Sequence, residues 1–165
     1  MKQLVLIISI FLIQTTQAQG SLKKLLKKFN QESVPYIHVE NLDDKDENTV
    51  LLDAREPREF EVSHLNKAIC VGYDHFDLQK TLQQLPEDKN AKIVVYCSLG
   101  IRSEDVAEQL KKAGYTNVFN LYGGIFEWKN NGNRVLNKNN KPTEEVHAFN
   151  KEWGVWLTKG IKIYE

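Results

Sequence analysis

Little in this 165-residue chain is in surplus. It has only two cysteines, Cys70 and Cys97, with no second cysteine close to either, which argues against a dithiol oxidoreductase that needs a resolving partner. Four prolines and nine glycines against 41% hydrophobic residues exclude a disordered or fibrous chain. That composition suits one packed domain with modest extensions. Lysine plus arginine and aspartate plus glutamate number 22 each, so no cationic surplus announces a nucleic acid or other polyacid. His38, His64, His75 and His147 show no spacing with acids or cysteines that suggests a metal site. No apolar run approaches the roughly 20 residues that a membrane helix needs.

The longest apolar run, Leu4 to Ile13, follows Lys2 and gives way to small and polar residues up to Ala18. This is the layout of a cleavable secretory signal, so residues 1–18 are expected to be removed and the protein exported, to a periplasm or the exterior. No cysteine near the cleavage region offers a lipid attachment point. Exported cysteines are mostly disulfide-bonded, which makes a Cys70–Cys97 pair the first expectation.

Residues 19–48 lead into the domain. In SLKKLLKKFNQ, Leu22, Leu25, Leu26 and Phe29 recur at helical spacing with Lys23, Lys24, Lys27 and Lys28 opposite. A first helix packed on its own domain shows this pattern, and so does a helix lying on an anionic membrane; the first is expected. TVLLDA (49–54), KAICVGY (67–73), AKIVVYC (91–97) and NVFNLYGG then read as buried strands, each apolar nearly throughout. Helical segments starting at Pro57, DLQKTLQQL (77–85), SEDVAEQLKKAG (103–114) and GIFEWKNNG alternate with them. The alternation predicts an α/β fold with a mostly parallel sheet flanked by helices on both faces. Ligands of such sheets bind beyond the carboxyl ends of the strands, where Cys97 falls.

Ser98 to Arg102 separate Cys97 from a helix that Ser103 is expected to cap. A loop this short has to curl, with Gly100 supplying the backbone freedom and successive amides turning toward the sulfur. Amides, helix dipole and Arg102 together favour the thiolate, the nucleophilic form.

CSLGIRS resembles the active-site loop of the rhodanese family of sulfurtransferases. LLDAREPREFEVSHLNKAICV and NLYGGIFEWKNNGNRV resemble the two other stretches of that family, in the same order, so that a rhodanese-like core is expected over residues 49–135. Differences fall at Ser63, Lys67, Gly72 and Asn133-Arg134, all outside the loop. The resemblance implies a five-stranded sheet. It also implies that Cys97 takes the outer sulfur of a donor such as thiosulfate, holds it as a persulfide and passes it to a thiol, to cyanide or to a protein acceptor. Substrate would meet Ser98, Leu99, Gly100, Ile101, Arg102 and Ser103, with Arg102 orienting the anionic donor. Asp53 and Arg55 would brace the loop, or simply form an ion pair at a strand end. No cofactor or metal is implied, and His64 would serve a turn.

A related loop in phosphatases and arsenate reductases typically keeps five residues between Cys and Arg. Here there are four, Ser98 to Ile101, a ring better suited to one sulfur atom than to a phosphate. A rival within the fold is a persulfide carrier or protein-binding module that does not turn over. The family's strand order sets one strand between those carrying Cys70 and Cys97, roughly 10 Å apart, beyond the ~7 Å reach of a disulfide. Both thiols are then expected to be free, with Cys70 a buried apolar filler. The tail, residues 136–165, gathers Trp153, Val155, Trp156 and Leu157. It is expected to pack back on the domain, a docking surface for a partner being the alternative.

The leader can be checked directly. Protein recovered from outside the cytosol should begin at or near Gln19, and terminal sequencing that finds Met1 intact would overturn the export reading.

Overall fold

The computed structural model describes residues 22–164, and the leader therefore lies outside the described residues. The chain falls into two compact units, one up to Glu32 and one from Ser33 onward. In the first, residues 22–29 form helix α1, with Lys23, Lys24, Lys27 and Lys28 exposed as the spacing predicts. No helix among the described residues is long and apolar enough to cross a membrane.

The second unit is built on five parallel strands: β1 (Tyr36–Ile37), β2 (Thr49–Asp53), β3 (Ile69–Cys70), β4 (Lys92–Tyr96) and β5 (Val118–Leu121). Their order across the sheet is β1-β5-β4-β2-β3, so β4 lies at the centre and its Val95 stands between Leu52 of β2 and Asn120 of β5. The apolar runs are explained by this position, since Ile93 to Tyr96 are fully buried and face helices on both sides. On one face Leu52, Ile93, Val95 and Val118 meet Val106, Ala107 and Leu110 of α4 (Arg102–Lys112), with α3 (Leu78–Leu82) beside them. On the other, Tyr96 accepts a hydrogen bond at its hydroxyl from the Leu65 amide, just past α2 (Pro57–Val62).

Several elements differ from the sequence reading, each for a local reason. The sheet reaches upstream of Thr49, because Pro35 and Ile37 carbonyls accept from Asn120 and Tyr122 and add a short edge strand. β3 covers two residues of the predicted seven and is only half-buried, since it pairs on one side alone and Gly72, at φ +72°, turns the chain away. α3 starts after Asp77, whose carboxylate caps it by accepting from the Lys80 amide at 3.0 Å. α4 starts at Arg102, so Ser103 is not its cap; Ile101 holds that position and offers no side-chain bond.

The tail does pack back on the domain. After α5 (Gly124–Asn130), β6 (Val135–Leu136) pairs with β7 (Pro142–Thr143) and β8 (Glu145–His147) with β9 (Ile161–Ile163), with α6 (Lys151–Gly154) between. Leu157 is fully buried, and Asn130 of α5 clamps the segment by donating to the Trp156 carbonyl at 2.9 Å and accepting from the Thr158 amide at 2.7 Å. Val155, in contrast, is 66% exposed.

The sharpest packing constraint is where α5 meets the end of β4. Gly123 and Gly124 both have positive φ, and the Ile125 and Phe126 amides donate to the carbonyls of Cys97 (2.9 Å) and Ser98 (3.1 Å). A Cβ on Gly124 would lie 2.3 Å from the Cys97 carbonyl oxygen, whereas one on Gly114, at φ +98°, would meet nothing within 4 Å. Gly124→Ala is therefore expected to lose about 3 kcal/mol through overlap plus backbone strain. Gly114→Ala, with strain alone, should lose about 1 kcal/mol. Equal losses in urea denaturation would show that the close approach does not matter.

Candidate active site

Cys97 is the first residue past the central strand, and it is 2% exposed. The Gly100 amide points at its sulfur from 3.1 Å, and the Ser103 hydroxyl stands 3.5 Å away. Gly100 has φ +99°, the left-handed region that lets the loop double back this tightly. Ser103 is itself held by Asn120, whose Oδ1 accepts at 2.7 Å while its Nδ2 donates to the Gly100 carbonyl at 2.8 Å. The amides of Leu99, Ile101, Arg102 and Ser103 meet no acceptor among the described residues. A curled loop with several unanswered N–H groups at the start of an eleven-residue helix is an anion-binding concavity.

Arg102 does not reach freely into this space. Its two terminal nitrogens each lie 2.8 Å from one oxygen of Glu59, in a bidentate pair with a carboxylate of zero exposure. Ser98 joins them, its hydroxyl 3.2 Å from Arg102 and 3.4 Å from Glu59. Burial alone would raise the Glu59 carboxyl, yet the Arg102 bonds and charge, with Arg55 nearby, hold it below the ordinary carboxylate range. His147 of β8 lies 3.9 Å from the same carboxylate.

Asp53 and Arg55 form a fully buried pair, Nε to Oδ1 at 2.9 Å and Nη2 to Oδ2 at 2.5 Å. Arg55 also donates to the Ser63 carbonyl at 2.6 Å. The pair thus ties β2 to α2, the helix that carries Glu59, and the Arg55 guanidinium also lies over the ring of Tyr96, next to Cys97, at 5.7 Å. Cys70 and Cys97 are both free, with β2 between their strands. Burial pushes the Cys70 thiol up to about 11, so it stays protonated at neutral pH. His64 serves the fold: Nδ1 meets the Phe60 carbonyl at 3.0 Å and the ring stacks on Phe60. Among the described residues, no group of three or more His, Cys, Asp or Glu side chains could hold a metal ion.

A cavity of about 280 Å³ opens above the sulfur, lined by Cys97, Ser98, Leu99, Ile101, Arg102, Phe149 and Trp153. The last two come from the tail, with Phe149 set over the Arg102 guanidinium at 5.3 Å. Glu59, Asn120 and Phe149 went unmarked in the sequence reading, and Trp153 was marked there only as part of the tail cluster. For Glu59 the signal was present, since it is the acid of the EF pair within the quoted motif.

Comparison with known proteins bears on the same stretch. The family model of the rhodanese-like domain matches residues 37–131. The tRNA uridine(34) hydroxylase of Erwinia tasmaniensis is 38% identical over 85 residues, half of this chain and 24% of that protein. That of Leptospira interrogans is 39% identical over 90 residues, 53% of this chain and again 24% of its own length. The chain thus spans about a quarter of the length of these curated relatives. Among solved structures, a rhodanese-related protein of Thermoplasma volcanium aligns with TM-score 0.53 and 27% identity over 62% of this chain and 97% of its own. A thiosulfate sulfurtransferase of Pseudomonas aeruginosa shares the fold at TM-score 0.59 and 21% identity, over 75% of this chain and 23% of that one.

The Glu59–Arg102 pair sets a pH dependence. A carboxyl held low in the folded state contributes stability at neutral pH that is lost as pH falls through its folded value, below the ordinary carboxylate range. Glu59→Gln is expected to cost about 3 kcal/mol at pH 7, by leaving Arg102 without its partner, and to flatten the acid limb of stability against pH. An unchanged acid limb in denaturation at stepped pH would remove Glu59 as its source.

Proposed function

Since the chain belongs to the rhodanese-like domain family, we propose that it is an exported sulfurtransferase with Cys97 as nucleophile. The Cys97 thiolate attacks the outer sulfur of thiosulfate, the S–S bond of the donor breaks, and sulfite leaves with its electron pair. Cys97 is left as an anionic persulfide. A second thiolate or cyanide then attacks the terminal sulfur, becoming a persulfide or thiocyanate and restoring the Cys97 thiolate. No cofactor enters either half, and no nucleic acid is needed.

The observation that carries this reading is the Gly100 amide aimed at the sulfur from 3.1 Å, in a loop whose neighbouring amides meet no acceptor among the described residues. A persulfide places its negative charge one bond, about 2 Å, beyond Sγ, and the amides of Leu99, Ile101, Arg102 and Ser103 are the groups available to meet it. Arg102, half-neutralised by Glu59, keeps N–H groups to spare for the oxygens of an oxyanion donor. The four-residue interval between Cys97 and Arg102 supports sulfur over phosphate, for which the loop is short. We ascribe no hydroxylation to this chain, because the stretch it shares with the uridine hydroxylases is about a quarter of those proteins.

The test is thiocyanate formation from thiosulfate and cyanide by the chain lacking residues 1–18, beside Cys97→Ala. Turnover in the first and at least a thousandfold less in the second is expected. A folded wild type without turnover that nonetheless gains 32 Da from thiosulfate would instead be a persulfide carrier, and one that gains nothing a binding module.

A further inference from the structure

The wall of the cavity that faces the thiol is not part of the matched domain. Residues 37–131 match the family, whereas Phe149 and Trp153 lie in the tail and line the space above Cys97. Both are placed by specific bonds. Asn150 caps α6 by accepting from the Trp153 amide at 2.9 Å, and the Phe149 amide donates to His147 Nδ1 at 3.2 Å. Phe149 has φ +65°, a conformation a bulky side chain rarely adopts, and the residue is 41% exposed. Strain and exposure are both unfavourable, and neither improves the packing of the core. The ring is instead kept where it covers Arg102 and borders the cavity.

The chemistry of the lining is lopsided. Leu99, Ile101, Phe149 and Trp153 are apolar or aromatic, Ser98 and Arg102 alone are polar, and the charge of Arg102 is answered by Glu59. Such a cavity provides one place for an anionic head, near the sulfur and Arg102, and around it a surface that inorganic oxyanions do not use. A cavity of about 150 Å³ with apolar walls suffices for benzene, and this one is about 280 Å³.

We propose that Phe149 and Trp153 determine specificity, selecting for Cys97 a sulfur donor of the thiosulfonate type, an anionic sulfane sulfur on an organic body the size of an aromatic ring. The inference rests on the sulfurtransferase reading. The Cys97 thiolate attacks the terminal sulfur of R–SO₂–S⁻, the bond between the two sulfurs breaks, and the sulfinate R–SO₂⁻ leaves with the electron pair, giving the Cys97 persulfide. With R a phenyl ring, the leaving sulfinate directs the ring between Phe149 and Trp153.

The experiment compares benzenethiosulfonate with methanethiosulfonate, which carry the same reacting group and differ in the organic body. Persulfide formation on Cys97 is followed by mass and by sulfinate release, in the wild type, Phe149→Ala, Trp153→Ala and Trp153→Phe. The wild type is expected to favour the phenyl donor in kcat/KM by at least tenfold beyond the ratio the two donors show toward a free thiol such as glutathione. The excess should disappear in the alanine variants and survive in Trp153→Phe. Phe149→Ala removes a half-exposed ring, so its fold is expected to stand even if Trp153→Ala proves unstable. A wild-type ratio equal to that of the free thiol, or an excess untouched by Phe149→Ala, overturns the aromatic wall. Absence of any persulfide with both donors overturns instead the sulfur-transfer reading beneath it.

Discussion

The thiol loop is governed by the direction of two carbonyls. In a trans peptide the C=O of one residue and the N–H of the next point opposite ways. The carbonyls of Cys97 and Ser98 are fastened to the amides of Ile125 and Phe126, so the Ser98 and Leu99 amides are turned away from α5. The Gly100 amide meets the sulfur at 3.1 Å, and the left-handed step at Gly100 then turns the chain into α4. Two glycines at the start of α5 make the contact possible, because a side chain on the second would overlap the Cys97 carbonyl. A helix some 25 residues downstream in sequence thereby fixes the backbone from which the Cys97 side chain projects.

Around this sits a set of buried charges that are each accounted for. Asp53 with Arg55, and Glu59 with Arg102, link β2, α2 and the first residue of α4 in a chain of ion pairs whose acids have zero exposure. Buried pairs of this kind add little to stability over apolar residues of the same size, but breaking one is costly. Their effect here is geometric. They fix α2 against the loop, so Arg102 reaches the cavity from one direction with part of its charge already spent on Glu59.

Much of this was legible in the chain. The run AKIVVYC could be read as a buried strand because β4 is covered on both faces, and the spacing from Cys97 to Arg102 pointed to a tight loop before any geometry was known. Legibility failed where the structure depends on partners distant in sequence. The seven residues around Ile69 looked like a buried strand, but hydropathy does not record that an edge has one neighbour only. Ser103 looked like a helix cap, and the hydroxyl goes to Asn120 because that side chain comes up from β5 beneath it. The aromatic cluster of the tail was visible as a cluster. Its destination was not, since Phe149 left the expected group of Trp153, Val155, Trp156 and Leu157 to one side and faces the cavity with only the first of them.

The position of β2 between the two cysteine-bearing strands also decides how the protein meets oxidants. A thiolate that oxidises to a sulfenic acid is ordinarily rescued by a neighbouring thiol, which condenses with it to a disulfide that reductants can reopen. Cys70 cannot provide this service across an intervening strand, and its thiol is protonated besides. Peroxide would therefore drive Cys97 toward the irreversible sulfinic state unless a small thiol enters the cavity first. A bound sulfane sulfur changes the order of events, because the outer sulfur is then the atom exposed to attack, and a reductant that strips it returns the cysteine intact.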